Sequence, residues 1–401
     1  MRLLPLLLLL TFLSCRDENK AKSFEQMTDR IEDRYVSDRR TDRFEVDYGG
    51  GFQGLYVRGY TTVPAAYDSL QRVLTEGGFV VARNEFRLLP DAELLNGKTA
   101  GIINVSVANL RSEPGHSQEL ATQALLGTPI RVLDYQDGWY LVRTPDRYLA
   151  WLEPGAFVLM TPKEAAAWLA DDLRVYVDRP AEVTTTPGST DYVTDLIGGG
   201  LVGYTDSLRD GKRKLRLPDQ QTGWTDDEGF YPVAPWFRPV DFEMATITNT
   251  ARLMKGRTYL WGGTSLNAMD CSGFTKTAYY LNGYVIPRDA SQQVHAGTAV
   301  ELTDDLDNLD AGDLLFFGGY RADRSEKITH VGMYLGEGRF IHAGADNGRI
   351  AVQSLLPDAP DYAAHRRESL LRARRLRPGD PGVVPVGRAF AELLGVETVI
   401  R

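Results

Sequence analysis

The chain has 401 residues, of which 43% are hydrophobic and 25% charged, and its formal net charge is −9. This length and composition are ordinary for a globular protein of about two to four domains with sizeable hydrophobic cores. The negative charge argues against an extended nucleic-acid-binding surface, which would require a basic face.

The first residues have the pattern of a cleaved export signal. Arg2 precedes an apolar run, Leu3 to Leu13, which is too short to span a bilayer but suits a signal-peptide core. The run ends at Ser14-Cys15 and resembles a bacterial lipoprotein signal, with Phe12 in place of the usual leucine. We therefore expect residues 1–15 to be a lipoprotein signal peptide, Cys15 to carry a lipid, and the protein to be anchored to a membrane of the bacterial envelope, at the periplasm or cell surface. A soluble N-terminal helix is the alternative.

Residues 16–100 combine a charged tether with an α+β segment. After the tether, Phe24, Met27, Ile31 and Tyr35 fall on one face of a predicted helix. Residues 44–100 mix patterns typical of strands and helices, so we predict an α/β arrangement there.

Two regions rich in short strands follow. In residues 101–162, apolar segments are separated by Gly, Pro and Asp, which predicts a small β-barrel. The segments Asn109-Leu-Arg-Ser-Glu-Pro114, Gly138-Trp-Tyr140 and Tyr148-Leu-Ala-Trp151 resemble bacterial SH3-like domains. Residues 163–235 repeat this composition and predict a second, diverged SH3-like domain. Pro232, Pro235 and Pro239 then predict a stiff linker.

The strongest pattern in the chain begins at Tyr259. A turn at Gly262-Gly263 leads to Asp270, a favoured helix N-cap. Apolar residues recur at helical spacing behind this cap and Asn282-Gly283 ends the run, so we predict a helix that begins at Cys271. Free N–H groups and the helix dipole favour a thiolate in a first turn, which predicts a lowered thiol pKa for Cys271 and a nucleophilic role.

A hairpin is predicted downstream, with strands at residues 329–335 and 339–343 and a three-residue loop centred on Glu337. In this register His342 lies opposite Gly332 and diagonal to His330. Because glycine has no side chain, the two imidazoles can approach each other. A cysteine on a helix and two histidines on strands then supply a nucleophile, a base and a group that orients the base.

Six motifs occur in order across residues 245–378 and together resemble the papain-like NlpC-type cell-wall cysteine peptidases. They are Tyr259-x-Trp-Gly-Gly263, Asp270-Cys-Ser-Gly-Phe274, Pro287-Arg-Asp-Ala-Ser-Gln-Gln293, Ala311-Gly-Asp-Leu-Leu-Phe-Phe317, Thr329-His-Val-Gly332 and Phe340-Ile-His-Ala343. The resemblance implies an α+β fold with a peptidase domain at residues 236–378, preceded by the SH3-like domains and followed by a tail at residues 379–401. It implies Cys271 as nucleophile, His330 as base and His342 as orienting residue. The Cys271 N–H and the Tyr259 hydroxyl would face the oxyanion.

Members of this family that carry SH3-like domains resemble γ-D-glutamyl-L-diamino acid endopeptidases. In them the first SH3-like domain closes one end of the cleft, so that the substrate, a peptidoglycan-derived stem peptide, must begin with a free L-alanine. A pocket for that ammonium would be acidic and hydroxylated, since an unpaired buried charge is costly. The residues of this chain that match it are Glu113, Tyr148, Asp270, Ser272 and Ser291.

Several alternatives remain at this stage. Asp270 and Ser291 can be helix-terminal residues only, Ser272 a first-turn residue, Glu113 a turn residue and Tyr148 a core residue. A metal site is disfavoured, because one cysteine and two histidines converge without a carboxylate in ligand spacing, and no cofactor is expected. The fold also allows an amidase or acyltransferase, and a wall-binding lipoprotein without activity is the alternative of another class. Rapid alkylation of the thiol would separate an enzyme from such a binding protein.

Overall fold

The protein is described by a computed structural model that covers residues 22–51 and 54–399. These residues fall into two compact units, divided between Gly97 and Lys98. The predicted signal peptide and Cys15 lie outside the described residues. No helix in the described part of the chain is long and apolar enough to cross a membrane.

The first unit is a small α/β fold, as predicted for residues 44–100. Helix α1 spans residues 22–35 and buries Phe24 and Ile31, which lie on the predicted apolar face. The other elements are β1 (Phe44–Gly51), β2 (Gly54–Thr61), α2 (Pro64–Glu76) and β3 (Val81–Leu88). Strand β2 pairs antiparallel with β1 and parallel with β3, so α2 is the crossover helix of a β–α–β unit.

The second unit begins with a sheet of seven short antiparallel strands. They are β4 (Ala100–Ile103), β5 (Val107–Arg111), β6 (Leu120–Leu125), β7 (Pro129–Gln136), β8 (Trp139–Arg143), β9 (Leu149–Leu152) and β10 (Phe157–Met160). Their order is β10-β4-β7-β8-β9-β5-β6, so β6 lies at one edge. Trp151 and Leu141 are fully buried beneath this sheet.

Helix α3 (Pro162–Leu169) leads into a second sheet of seven antiparallel strands. These strands are β11 (Leu173–Tyr176), β12 (Ala181–Thr184), β13 (Tyr192–Leu196), β14 (Leu201–Arg209), β15 (Lys212–Arg216), β16 (Thr222–Asp226) and β17 (Phe230–Pro232). The predicted stiff linker is wrong, because β17 pairs with β11 and the next residues form helix α4 (Val233–Phe237). Phe237 is fully buried, so packing of aromatic side chains dominates over the local stiffness of the prolines.

The remaining residues form a nine-stranded mixed sheet, a two-stranded sheet and the helices that pack on them. The helices are α5 (Met244–Leu253), α6 (Cys271–Leu281), α7 (Ala290–Gln293), α8 (Ala364–Glu368) and α9 (Val386–Leu394). The strands are β18 (Thr258–Tyr259), β19 (Thr264–Ser265), β20 (Ala268–Met269), β21 (Tyr284–Val285), β22 (Thr298–Val300), β23 (Leu314–Tyr320), β24 (Glu326–Gly336), β25 (Arg339–Gly344), β26 (Arg349–Ser354), β27 (Leu370–Arg375) and β28 (Val384–Pro385). Strands β21 and β28 form the two-stranded sheet, and the nine-stranded sheet has the order β19-β20-β18-β26-β25-β24-β23-β27-β22.

Helix α6 packs its apolar face on the central strands of the nine-stranded sheet. Phe274 and Ala278 are fully buried against a cluster that includes Val331 and Ile341. Helix α9, in the predicted tail, buries Phe390 against Phe237 of α4. The mixed α and β fold class predicted from the sequence is confirmed.

Candidate active site

Helix α6 begins and ends where the sequence predicts. The Asp270 carboxylate accepts a hydrogen bond of 2.7 Å from the Gly273 N–H, which is the N-cap interaction. Asn282 caps the other end, and Gly283 follows with a φ of 85°, a value that favours glycine. Cys271 therefore occupies the first helical position, and its thiol is free and buried.

The hairpin β24–β25 brings the two histidines together. Tyr334 pairs with Phe340 and Met333 with Ile341, which is the predicted register. The predicted three-residue loop is wrong, because Gly336 pairs with Arg339 and the loop consists of Glu337 and Gly338, both with positive φ. A bulge between Tyr334 and Gly336 takes up the extra residue and restores the register.

The imidazoles are joined by a hydrogen bond of 2.8 Å between Nε2 of His330 and Nδ1 of His342. A Cβ at position 332 would lie 3.2 Å from the Cβ of His342 and 2.9 Å from the Phe340 ring, so glycine provides the space for this approach. His342 also stacks on Phe340, with ring centroids 4.8 Å apart. The orientation of both rings is therefore fixed by packing.

Gln353, on β26, extends this chain and was not identified from the sequence. Its Oε1 lies 2.7 Å from Nε2 of His342 and also accepts a hydrogen bond from Asn347. Since a carbonyl oxygen only accepts, Nε2 of His342 carries a proton and Nδ1 of His342 accepts from His330. Nδ1 of His330 is then the unprotonated nitrogen. The only sequence signal for Gln353 is a polar side chain directly after the apolar residues Ile350 to Val352.

The sulfur of Cys271 lies against the strand that carries His330. The backbone N–H groups of Val331 and Ser272 donate hydrogen bonds to it. Val331 follows His330 directly, so the backbone of the strand that carries His330 contacts the first turn of α6. Tyr259, on β18, is close enough to Cys271 and Asp270 for a negative charge on either residue to act on its hydroxyl.

Burial controls the protonation of these groups. It raises the pKa of the Cys271 thiol to about 12, and the neighbouring Asp270 charge acts in the same direction. The prediction of a lowered thiol pKa is therefore wrong for the resting enzyme, because burial and Asp270 outweigh the N–H groups of the helix terminus. Burial also lowers the pKa of His330 well below 6.5 and that of His342 to about 4. At neutral pH the site holds a neutral thiol and two neutral imidazoles.

Two groups near Cys271 retain a hydrogen-bond donor that the sequence analysis assigned to the oxyanion. The backbone N–H of Cys271 donates to no residue in the described ranges, as expected at the start of a helix. Burial raises the pKa of Tyr259 to about 12, so its hydroxyl keeps its proton at neutral pH. Both can donate a hydrogen bond to a developing negative charge near the sulfur.

A buried arginine, Arg288, organises the side of Cys271 that faces the first SH3-like region. It donates to both oxygens of Asp270, at 3.1 and 2.6 Å, and to the Ser272 hydroxyl at 3.0 Å. Burial opposes its charge, but Asp270 outweighs burial and raises the pKa of Arg288. Arg288 lies in a family motif identified from the sequence, but no role was predicted for it, because no local pattern indicates a buried ion pair.

The predicted ammonium pocket is assembled only in part. Asp270 and Ser272 lie together, and the charge of Arg288 also acts on Tyr148 from the first SH3-like region. Ser291 lies in α7, two residues after the N-cap Asp289. Glu113 is exposed, and no contact found among the described residues joins it to Asp270 or Arg288. The Asp270 carboxylate already accepts hydrogen bonds from Arg288, Ser272, Gly273 and Gly262, so its part in ammonium binding stays a prediction.

Strand β6 of the first SH3-like region packs directly beside this site. Thr122 accepts a hydrogen bond from Arg288, and Gln123 pairs with Thr264 through both its side chain and its backbone. A Cβ at Gly262 would collide with the carbonyl oxygen of Leu120, so the motif glycine permits this approach. The first SH3-like region and the peptidase region therefore build one wall of the site together.

Comparisons with known proteins agree with this arrangement. The NlpC/P60 family matches residues 256–366, and the bacterial dipeptidyl-peptidase SH3 domain matches residues 110–156. The chain is 30% identical over 272 residues to dipeptidyl-peptidase 6 of Lysinibacillus sphaericus, covering 65% of this chain and 93% of that protein. It is 28% identical over 283 residues to a γ-D-glutamyl-L-lysine dipeptidyl-peptidase of Bacillus cereus, covering 66% and 77%. A crystal structure of an NlpC/P60 family protein from Bacillus cereus superposes with a TM-score of 0.57 at 25% identity, covering 70% of this chain and all of the other.

Proposed function

Because this chain belongs to the NlpC/P60 family and is a cysteine peptidase, we propose that it hydrolyses the bond between γ-D-glutamate and the diamino acid in peptidoglycan stem peptides with a free N-terminal L-alanine. The observation that carries the proposal is the wall formed by β6 and the Asp270–Arg288 pair beside Cys271. A wall so close to the nucleophile limits the number of substrate residues that fit before the scissile bond. Two similar proteins are named as dipeptidyl-peptidases, which supports this limit.

The reaction follows from the protonation pattern. Nδ1 of His330 takes the proton of the Cys271 thiol as the sulfur attacks the γ-carbonyl carbon of D-glutamate. The Cys271 N–H and the Tyr259 hydroxyl donate to the oxyanion. His330 then gives the proton to the leaving amine. In the second half of the reaction His330 takes a proton from water, which attacks the thioester carbon, and returns it to the departing sulfur. His342 and Gln353 keep the reactive nitrogen of His330 unprotonated at the start.

The alternatives from the sequence are weakened by this geometry. A wall-binding protein without activity has no use for a hydrogen-bonded chain from Gln353 through His342 to His330. An amidase or acyltransferase would use the same chain, and only the substrate distinguishes it. Slow alkylation of the resting thiol no longer argues for a binding protein, since burial raises the thiol pKa to about 12.

The proposal is tested with L-Ala-γ-D-Glu-L-Lys and its meso-diaminopimelate counterpart, each with a free and with an acetylated N-terminus. We expect cleavage of the free peptides at a kcat/KM at least about 100-fold above that of the acetylated ones, because acetylation removes the ammonium and adds bulk against the wall. Equal cleavage of both forms would retain the peptidase and contradict the requirement for free L-alanine. Cleavage of neither form would contradict the proposed substrate.

Export and lipid anchoring at Cys15 belong to the same proposal, and a role in the turnover of wall peptides follows from the substrate. The support is the sequence pattern of residues 1–15. Labelling of cells with a radioactive fatty acid should mark the protein, and Cys15→Ser should abolish the label. A labelled Cys15→Ser variant would contradict anchoring at this residue.

A further inference from the structure

A charged cluster lies beside the two histidines and has no part in the mechanism described so far. It consists of Asp346, in the turn between β25 and β26, and of His365 and Arg366 in α8. Nε2 of His365 lies 3.1 Å from Asp346, and Nη2 of Arg366 lies 3.3 Å from both oxygens of Asp346. The His365 side chain is 60% exposed and that of Asp346 37%, so solvent reaches the cluster.

Arg366 and His330 both lie next to the ring of Phe317. The Cζ of Arg366 lies 5.8 Å from the centre of the Phe317 ring, and that ring lies 5.6 Å from the imidazole of His330. The charge of Arg366 also contributes to the lowered pKa of His330 and of His342. Arg366 therefore lies on the histidine side of the site.

The hydrogen-bonding capacity of Arg366 is only partly used. The Arg366 side chain is 15% exposed, and its Nε is buried without a partner among the described residues. Nη2 contacts Asp346, so the donors left for a substrate are those of the two outer nitrogens. A guanidinium carries five N–H donors in a planar fork that matches a carboxylate. With one aspartate shared between Arg366 and His365, the cluster can accept a second anion.

The two arginines near the site act on different sides of the nucleophile. Arg288 donates to Asp270, the residue before Cys271, whereas Arg366 lies over the Phe317 ring that is next to His330. The charges of both arginines reach Tyr259. His330 protonates the leaving amine, so the leaving residue must lie on the side of His330. The L-alanyl end of the substrate then lies on the side of Arg288 and β6.

We propose that Arg366 binds the C-terminal carboxylate of the leaving diamino acid and so determines specificity at that end of the substrate. The inference rests on the proposed function and adds the group that recognises the released residue. A stem peptide that ends in the diamino acid presents this carboxylate within one residue of the scissile bond. A charge-assisted, forked hydrogen bond to it adds affinity and fixes its orientation.

The test compares L-Ala-γ-D-Glu-L-Lys with its C-terminal amide at neutral pH, using wild type, Arg366→Gln and Arg367→Gln. Wild type should prefer the carboxylate by about tenfold or more in kcat/KM. In Arg366→Gln this preference should fall to near unity through a higher KM for the carboxylate form, with the amide little affected. Arg367, in the same helix, donates to the carbonyl oxygen of Asp304, so Arg367→Gln removes the same charge and should keep the preference.

Two further variants protect the test against a folding defect in Arg366→Gln. Asp346→Asn removes the competing anion and should increase the preference for the carboxylate, and Arg366→Lys should give an intermediate preference. Equal cleavage of both peptides by wild type, or an equal loss on both peptides in Arg366→Gln, would overturn the subsite and leave the proposed function intact. Cleavage of neither peptide by wild type would overturn the proposed function and this inference with it.

Discussion

The proton on His330 is positioned by Gln353, a residue that contacts His342 and not His330 itself. Gln353 accepts from His342, and His342 accepts from His330, so each member of the chain fixes the tautomer of the next. If the amide of Gln353 were reversed, its NH₂ group would donate to His342 and the reactive nitrogen of His330 would carry a proton. The catalytic base therefore depends on the orientation of one amide.

Gln353→Met should lower kcat by about 10- to 100-fold with little change in KM, because the side chain keeps its volume but no longer accepts. Gln353→Glu keeps an acceptor and should retain kcat within a few-fold at neutral pH. It should also move the acidic limb of the pH profile upward, since a carboxylate stabilises a charged His342. Steady-state kinetics across pH checks both variants. If Gln353→Met kept its kcat and Gln353→Glu lost it, Gln353 would have a packing role only.

The pH dependence of the site follows from buried neutral groups. His330 must be neutral to act as a base, and its pKa lies well below 6.5 because of burial. Consequently kcat/KM should rise with pH through a limb below that value and then stay level through neutrality. Alkylation of the free enzyme by iodoacetamide should be slow at neutral pH and should increase into the alkaline range, since burial raises the pKa of Cys271 to about 12. An alkylation rate that is already at its plateau at neutral pH would indicate a preformed thiolate and contradict this account.

Among the elements, helix α6 was the most predictable, because its determinants are local. The Asp270 cap, the apolar spacing and the glycine after Asn282 are all read from consecutive residues, and the helix has these limits. The hairpin was predictable in register but not in turn type, since a bulge adds a residue without a sequence signal. The role of Arg288 was not predicted, because its partner Asp270 lies 18 residues away in the chain. Gln353 was not predicted at all, because His342 lies 11 residues away. Helix α4 was not predicted because prolines before, within and after it were interpreted as a linker.

The Asp270–Arg288 pair fixes the start of α6 to the loop before α7. Both side chains are almost fully buried, at 7% and 1% exposure. Arg288→Met should reduce the free energy of unfolding by about 3–5 kcal/mol, because the Asp270 charge is left buried without its partner. The double variant Asp270→Asn, Arg288→Met should be less destabilised than the sum of the single variants, as measured by chemical denaturation.

The exposed pair of Arg388 and Glu392 provides the control for that experiment. Its side chains are 71% and 59% exposed, so Arg388→Met should leave the unfolding free energy almost unchanged. Additive effects of Asp270→Asn and Arg288→Met would mean that the two residues are not coupled, which would contradict their role as one ion pair.

At the scale of the molecule, the unit from Lys98 to Arg401 is a peptidase with its first SH3-like region built into the site. Besides the contacts of β6, Lys276 of α6 forms an ion pair of 2.5 Å with Asp146 of the β8–β9 loop, and Asp146 is fully buried. Burial opposes ionisation of Asp146, but Lys276 outweighs it and lowers the pKa of the carboxyl. Helix α6, which begins at Cys271, thus holds the first SH3-like region in place.

Lys276→Met should lower the free energy of unfolding by about 3–5 kcal/mol, because it leaves the Asp146 carboxylate buried and unpaired. Lys212→Met, which breaks an exposed pair with Asp226, should have almost no effect. Urea denaturation of both variants gives the comparison. Equal stability of the two would mean that the Asp146–Lys276 contact does not hold the regions together.

The proposed mechanism requires Cys271 as the nucleophile and His330 as its base. The most direct test is the rate of hydrolysis of L-Ala-γ-D-Glu-L-Lys by wild type, Cys271→Ala and His330→Ala, with circular dichroism to verify folding. We expect each folded variant to lose activity by at least about 1,000-fold. The double variant Cys271→Ala, His330→Ala should lose no more than either single variant, because the two groups act as a unit. Hydrolysis by folded Cys271→Ala at a rate comparable to that of wild type would contradict the role of Cys271 as nucleophile.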